Sequence, residues 1–160
     1  MGTEKLEFKL ELFATMWDKP PHAEILINDK LFFAGDITGT EEKPDEIVFE
    51  HELDEDAEYN LVIKRSGKDS KQTVINEKGD ILKDQMLNLK RIEIDEIDIG
   101  ALIYEGVYTP QYPEPWASQQ RSAGTELPEK FKSVTKIGHN GEWLLTFRSP
   151  FYMWLLENLY

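Results

Sequence analysis

At 160 residues without a single cysteine, the chain has the length of one domain and no disulfide framework, thiolate zinc site or cysteine nucleophile. Its formal net charge of -13 and pI near 4.6 argue against DNA, RNA and anionic membranes as partners, because each needs a basic patch to displace counterions. Neutral sugars, cations and basic proteins remain. The opening MGTEKLEFKLEL has no apolar signal region and no stretch is long enough to span a bilayer, so the expectation is a soluble protein without membrane insertion or a secretory signal of its own.

In chain order, Leu6, Phe8, Leu10, Leu12 and Ala14 alternate with Glu7, Lys9 and Glu11, the pattern of a half-buried strand. Pro20 and Pro21 end it in a loop that carries Trp17. HAEILINDKLFFAGDI is a hairpin with its tip at Asn28, Asp29 and Lys30. After a loop over 38–45, Ile47, Phe49 and Leu53, then Tyr59, Leu61 and Ile63, make a second hairpin about Asp54, Glu55 and Asp56. Residues 65–84 are polar, interrupted by Gly67 and Gly79, and predict a long, partly structured loop.

The run MLNLKRIEIDEIDIG over 86–100 is the longest aliphatic alternation, and its parity slips twice: Leu87 and Leu89, then Ile92 and Ile94, then Ile97 and Ile99. Two bulges or bends are predicted. A short strand is expected from Leu102 through Val107, and TPQYPEPWASQQ predicts an extended aromatic loop because its prolines forbid ladder pairing. Residues 122–132 read as irregular, Val134 to Ile137 and Trp143 to Phe147 as strands. Ser149 as N-cap and Pro150 at the first position predict a short C-terminal helix, docked through Phe151, Trp154, Leu155 and Leu159. The fold expected is mainly β, an antiparallel β-sandwich or jelly roll with that one helix, as a single domain over 1–160.

Catalytic signatures fail one after another. His22, His51 and His139 fall on different elements, and no Gly-x-Ser-x-Gly elbow occurs. The 67–70 stretch lacks the upstream glycine of a phosphate loop. Residues 54–65 begin like a calcium-binding loop, but Tyr59 stands at the turn-glycine position and Arg65 at the bidentate-glutamate position. With 31 acidic residues, some carboxylate pair always has glycosidase spacing, so such a pair is uninformative. The aromatics Trp17, Tyr108, Tyr112 and Trp116 differ, since they sit in proline-rich segments and not in alternating strands. A flat ring suits the C–H face of a pyranose, and Asp18, Gln119 and Arg121 can hydrogen-bond its hydroxyls. The alternative is a satellite core over one edge of the sandwich.

The order WDKPPHAEILINDK, then 47–53, 58–64 and 89–100, resembles the small calcium-dependent xylan-binding β-sandwich modules over about the first hundred residues. The resemblance implies a non-catalytic carbohydrate-binding module. It also implies calcium held by the loop before the last of these strands, here by Asp69, Asp80 and Asp84. That loop departs from the family in being longer, in lacking an Asn-Asp pair and in carrying lysines at 64, 68, 71, 78 and 83. Residues 104–160 are similar to the tails of uncharacterised proteins of marine tailed phages, which implies a virion or host-recognition role and virion proteins among the partners. Three functions are expected, in this order: a module binding a neutral or weakly charged glycan, as in phage recognition of a host surface; an assembly protein that keeps the fold without the sugar; and a glycoside hydrolase or lyase.

Overall fold

The computed structural model describes residues 2–68, 73–78 and 81–159. Two antiparallel sheets face each other. In the first, β1 (Thr3–Thr15) lies between β4 (Asp45–Asp54) and β8 (Met86–Ile94), with β12 (Lys136–Ile137) and β9 (Ile97–Asp98) also pairing β8. The second has the order β11 (Phe131–Lys132), β10 (Val107–Pro110), β13 (Gly141–Arg148), β5 (Glu58–Ser66), β2 (His22–Ile27), β3 (Lys30–Asp36). A separate ribbon of β6 (Thr73–Ile75) and β7 (Ile81–Asp84) lies within the segment expected to be partly structured.

Period-two patterning fills the space between the sheets. Leu6, Phe8, Leu10 and Leu12 of β1 are fully buried, as are Ile25, Leu61, Ile63, Trp143 and Phe147 of the opposite sheet. Phe8 stacks on Phe49 at 5.2 Å and Phe49 on Phe32 at 4.6 Å, closing the gap between β4 and β3 with rings from both sheets. Both slips in the 86–100 alternation have a structural counterpart. Opposite β1, Leu12 pairs with Leu89 and Glu11 with Arg91, so Lys90 is an extra residue that shifts inward parity from Leu87 and Leu89 to Ile92 and Ile94. At the second slip, Asp95 and Glu96 have φ of 51° and 66°, a tight turn that folds β9 back so that Ile97 faces Ile94.

Several expectations change. The strands on either side of Asp54, Glu55 and Asp56 are not a hairpin: the turn carries the chain from one sheet to the other, so β4 pairs β1 whereas β5 pairs β13 and β2. Residues Gly100–Glu105 form a 3₁₀ helix, and the strand begins only at Val107. Leu102 and Ile103 are both buried, whereas a strand would send two adjacent side chains to opposite faces; in a 3₁₀ turn they are only about 120° apart. Gly106 then passes so close to Trp143 that a Cβ there would lie 2.3 Å from the indole ring. Within the proline-rich segment, α1 (Trp116–Ser122) replaces extended loop: the carbonyls of Pro113 and Pro115 accept from Ala117 and Gln119, so the prolines precede a helix without interrupting it. In α2 (Phe151–Leu159), Phe151, Trp154 and Leu155 are buried as expected, but Ser149 is not the cap. Its hydroxyl donates to Glu4 Oε2 at 2.6 Å, and that same carboxylate accepts the Phe151 N–H at 3.0 Å. A carboxylate from β1 thus holds the positive end of the helix.

Candidate functional site

Strand register gathers nearly every candidate residue at one end of the sandwich. Thr15 pairs with Met86, His22 with Ser66, Gly141 with Arg65, Pro110 with Gly141 and Ile137 with Leu87. The connections 16–21, 111–130 and 138–140, and the ends 67–68 and 84–85 of the segment between β5 and β8, therefore lie at the same end. They carry Trp17, Asp18, Tyr112, Trp116, Gln119, Arg121 and Asp84, and Tyr108 lies below them in β10. Two shallow depressions occur elsewhere and involve none of these residues. One, of about 310 Å³, lies at the opposite end beside Asp56, Arg148 and Met153, and the other, of about 560 Å³, on the outer face of the larger sheet over Val62 and Leu144.

His139 is the centre of an aromatic group. Its ring meets Tyr112 edge-on at 5.2 Å and Trp116 at 5.5 Å, and Tyr112 and Trp116 are 6.1 Å apart. Tyr112 is pinned by its hydroxyl, which donates to the Pro128 carbonyl. Trp116 stays 37% exposed, and Gln119 and Arg121 are exposed on the same short helix. Beneath them Tyr108 is 4% exposed; its hydroxyl donates to the His139 carbonyl at 2.7 Å and accepts the His139 N–H at 2.9 Å. Burial pushes the Tyr108 hydroxyl up to about 12. The His139 imidazole is held below its usual range, first by burial and then by the Lys68 and Arg65 cations, against the opposing pull of Asp84. Tyr108 therefore sets the backbone of His139 from below, whereas Trp116 and Tyr112 face outward.

Trp17 makes a second, distinct surface. It is 36% exposed, and the Lys83 ammonium sits 3.7 Å over its ring, so one aromatic face is covered by a cation. Asp18, with φ of 75°, turns the chain between Trp17 and Lys19, which form an isolated bridge. The Lys19 carbonyl accepts from Gln85 Nε2 at 2.7 Å, which ties this loop to the start of β8.

Between the two surfaces lies a buried polar cluster that the sequence did not single out. Arg65 is 1% exposed and donates to the carbonyls of Ile137 and Gln85 and to Gln85 Oε1. The Lys68 ammonium, 9% exposed, meets Asp84 Oδ1 at 2.6 Å and donates to the Gly138 carbonyl. Asn140 accepts from the Lys68 N–H and donates to its carbonyl, both at 3.0 Å. Burial lowers the Arg65 pKa to about 10, still well above neutrality. Of the three carboxylates that the family resemblance offers for calcium, Asp69 and Asp80 lie outside the described residues. Asp84 is engaged by Lys68. Among the described residues no group of three or more histidines or carboxylates is placed to hold a metal, and at Asp84 the Lys68 ammonium already occupies Oδ1, the place a divalent ion would take.

No protein-family profile and no curated protein sequence matches the chain. Two solved structures are similar in fold. A carbohydrate-binding module, vCBM60, in complex with galactobiose aligns over 87% of this chain and 96% of its own, with a TM-score of 0.50 and 5% identity. The selenomethionine form of vCBM60, described in terms of circular permutation linking two families of calcium-dependent carbohydrate-binding modules, aligns over 88% and 89% with the same score and identity. At that identity the likeness is one of fold, and it bears out the antiparallel β-sandwich expected from the strand pattern.

Proposed function

We propose that the protein is a non-catalytic carbohydrate-binding module that takes a neutral or weakly charged saccharide on the loop end of its sandwich. The observation that carries this is the Trp116 ring, more than a third exposed yet fixed by Tyr112 and His139, with exposed Gln119 and Arg121 beside it. A fixed ring offers a pyranose face a stacking surface at little entropic cost, and neighbouring amide and guanidinium groups match its hydroxyls. Trp17 and Asp18 offer a second contact at the same end. Calcium bridging through Asp69, Asp80 and Asp84, as the family resemblance implies, is opposed by the Lys68 ammonium on Asp84. The resemblance of residues 104–160 to the tails of uncharacterised proteins of marine tailed phages would make recognition of a host surface the setting. A glycan array probed with the full chain and with Trp116→Ala tests the proposal: saccharide spots seen with the first should fade with the second, while circular dichroism stays the same.

A second reading has its own support. On α2 the side chains of Tyr152, Met153 and Leu156 are 46%, 60% and 59% exposed, an apolar helix face on the outside of the molecule. That face suits an assembly protein that keeps the fold and binds other virion proteins instead of a glycan. An array blank for every saccharide favours this second reading.

A further inference from the structure

We propose that Lys68 and Arg65 are tethered cations that hold the loop end together in the place of a divalent metal, so that the fold and any recognition at this end are independent of calcium. From the end of β5 these two side chains gather five oxygens: the carbonyls of Gln85, Ile137 and Gly138, Gln85 Oε1 and Asp84 Oδ1. Carbonyl, amide and carboxylate oxygens converging from separate loops are what a hard divalent ion collects. Here they converge on a half-buried ammonium and a buried guanidinium, both covalently part of the chain. The segments they join are those that carry the candidate surfaces: 84–85 beside the Trp17 loop, through Gln85 and Lys19, and 137–140 under the His139 aromatic group. A divalent ion brought to the same oxygens would meet two positive charges in a region of low dielectric, where like charges repel strongly. One of the similar solved structures is described in terms of calcium-dependent modules, and a side-chain cation in this position is the contrasting arrangement.

The test needs no glycan. The full chain is titrated with calcium chloride by calorimetry, and its thermal unfolding is followed in calcium and in EDTA. No heat and coincident melting midpoints are expected. Lys68→Met, which keeps most of the stem and removes the charge, should lower the midpoint by several degrees, and calcium should restore part of the loss. A wild-type midpoint that rises with calcium or falls in EDTA overturns the proposal, as does a Lys68→Met protein as stable as wild type. If Lys68→Met does not fold, the wild-type titration decides alone. The outcome is separable from the glycan reading: a calcium-insensitive protein that binds no saccharide sinks the proposed function and leaves this inference standing, and a calcium-stabilised saccharide binder does the reverse.

Discussion

At Tyr108 one hydroxyl serves as both donor and acceptor to the backbone of His139, and its buried position gives it a pKa of about 12 against an ordinary 10.0. A raised folded-state value means that the unfolded chain loses this proton first. The stabilisation is complete below pH 10 and disappears as pH rises through about 12. Tyr108→Phe should therefore melt lower at neutral pH and show a flatter alkaline decline; equal slopes for the two proteins would remove Tyr108 from the account. His139 titrates in the other sense. Its folded value is depressed below 6.5, so the unfolded chain takes up the proton first and stability falls as pH drops below that value. Compared between about pH 7 and about pH 5, His139→Gln should lose less of its melting temperature than wild type, and parallel curves would contradict this.

Among the elements, α2 lies at the end of the chain and can be removed by itself. Ending the chain at Arg148 exposes what Phe151, Trp154 and Leu155 cover and strips Glu4 of its partners, a loss on the order of 5 kcal/mol at the usual transfer values. An unchanged melting temperature in the truncated protein would show that the helix is not part of the core. How far such elements can be read from sequence depends on the range of the interactions that fix them. The strands of the 86–100 run were legible even in their defects, because a bulge at Lys90 and a turn at Asp95 and Glu96 leave a parity change in the residue pattern itself. The helix after Pro115 was not legible, since prolines signal an end to ladder pairing without dictating the conformation of the residues beyond them. The cap on α2 was hidden because Glu4 lies at the far end of the chain from Ser149. In the candidate site, Trp17 and Trp116 stood out by their setting among prolines. His139 looked like a turn residue, and Arg65 and Lys68 like ordinary members of a polar loop, because their role appears only when 137–140 folds beside 84–85.

On the scale of the whole molecule, a net charge of -13 surrounds an end of the sandwich whose interior is cationic at Arg65 and Lys68. That distribution repels polyanions from most of the surface, in keeping with the proposed neutral or weakly charged ligand. The β-sandwich is shared with carbohydrate-binding modules at 5% identity, so fold likeness alone does not carry the function and the loop end must. Isothermal titration of soluble oligosaccharides, galactobiose among them, into the wild-type protein and Trp116→Ala, both in EDTA, addresses this most directly. The account predicts saturable heat with the wild type and at least a tenfold loss of affinity, about 1.4 kcal/mol, with Trp116→Ala at an unchanged fold. Absence of heat from a broad panel, in calcium as in EDTA, together with a Trp116→Ala protein that only melts earlier, would contradict it and make the aromatic group part of the core.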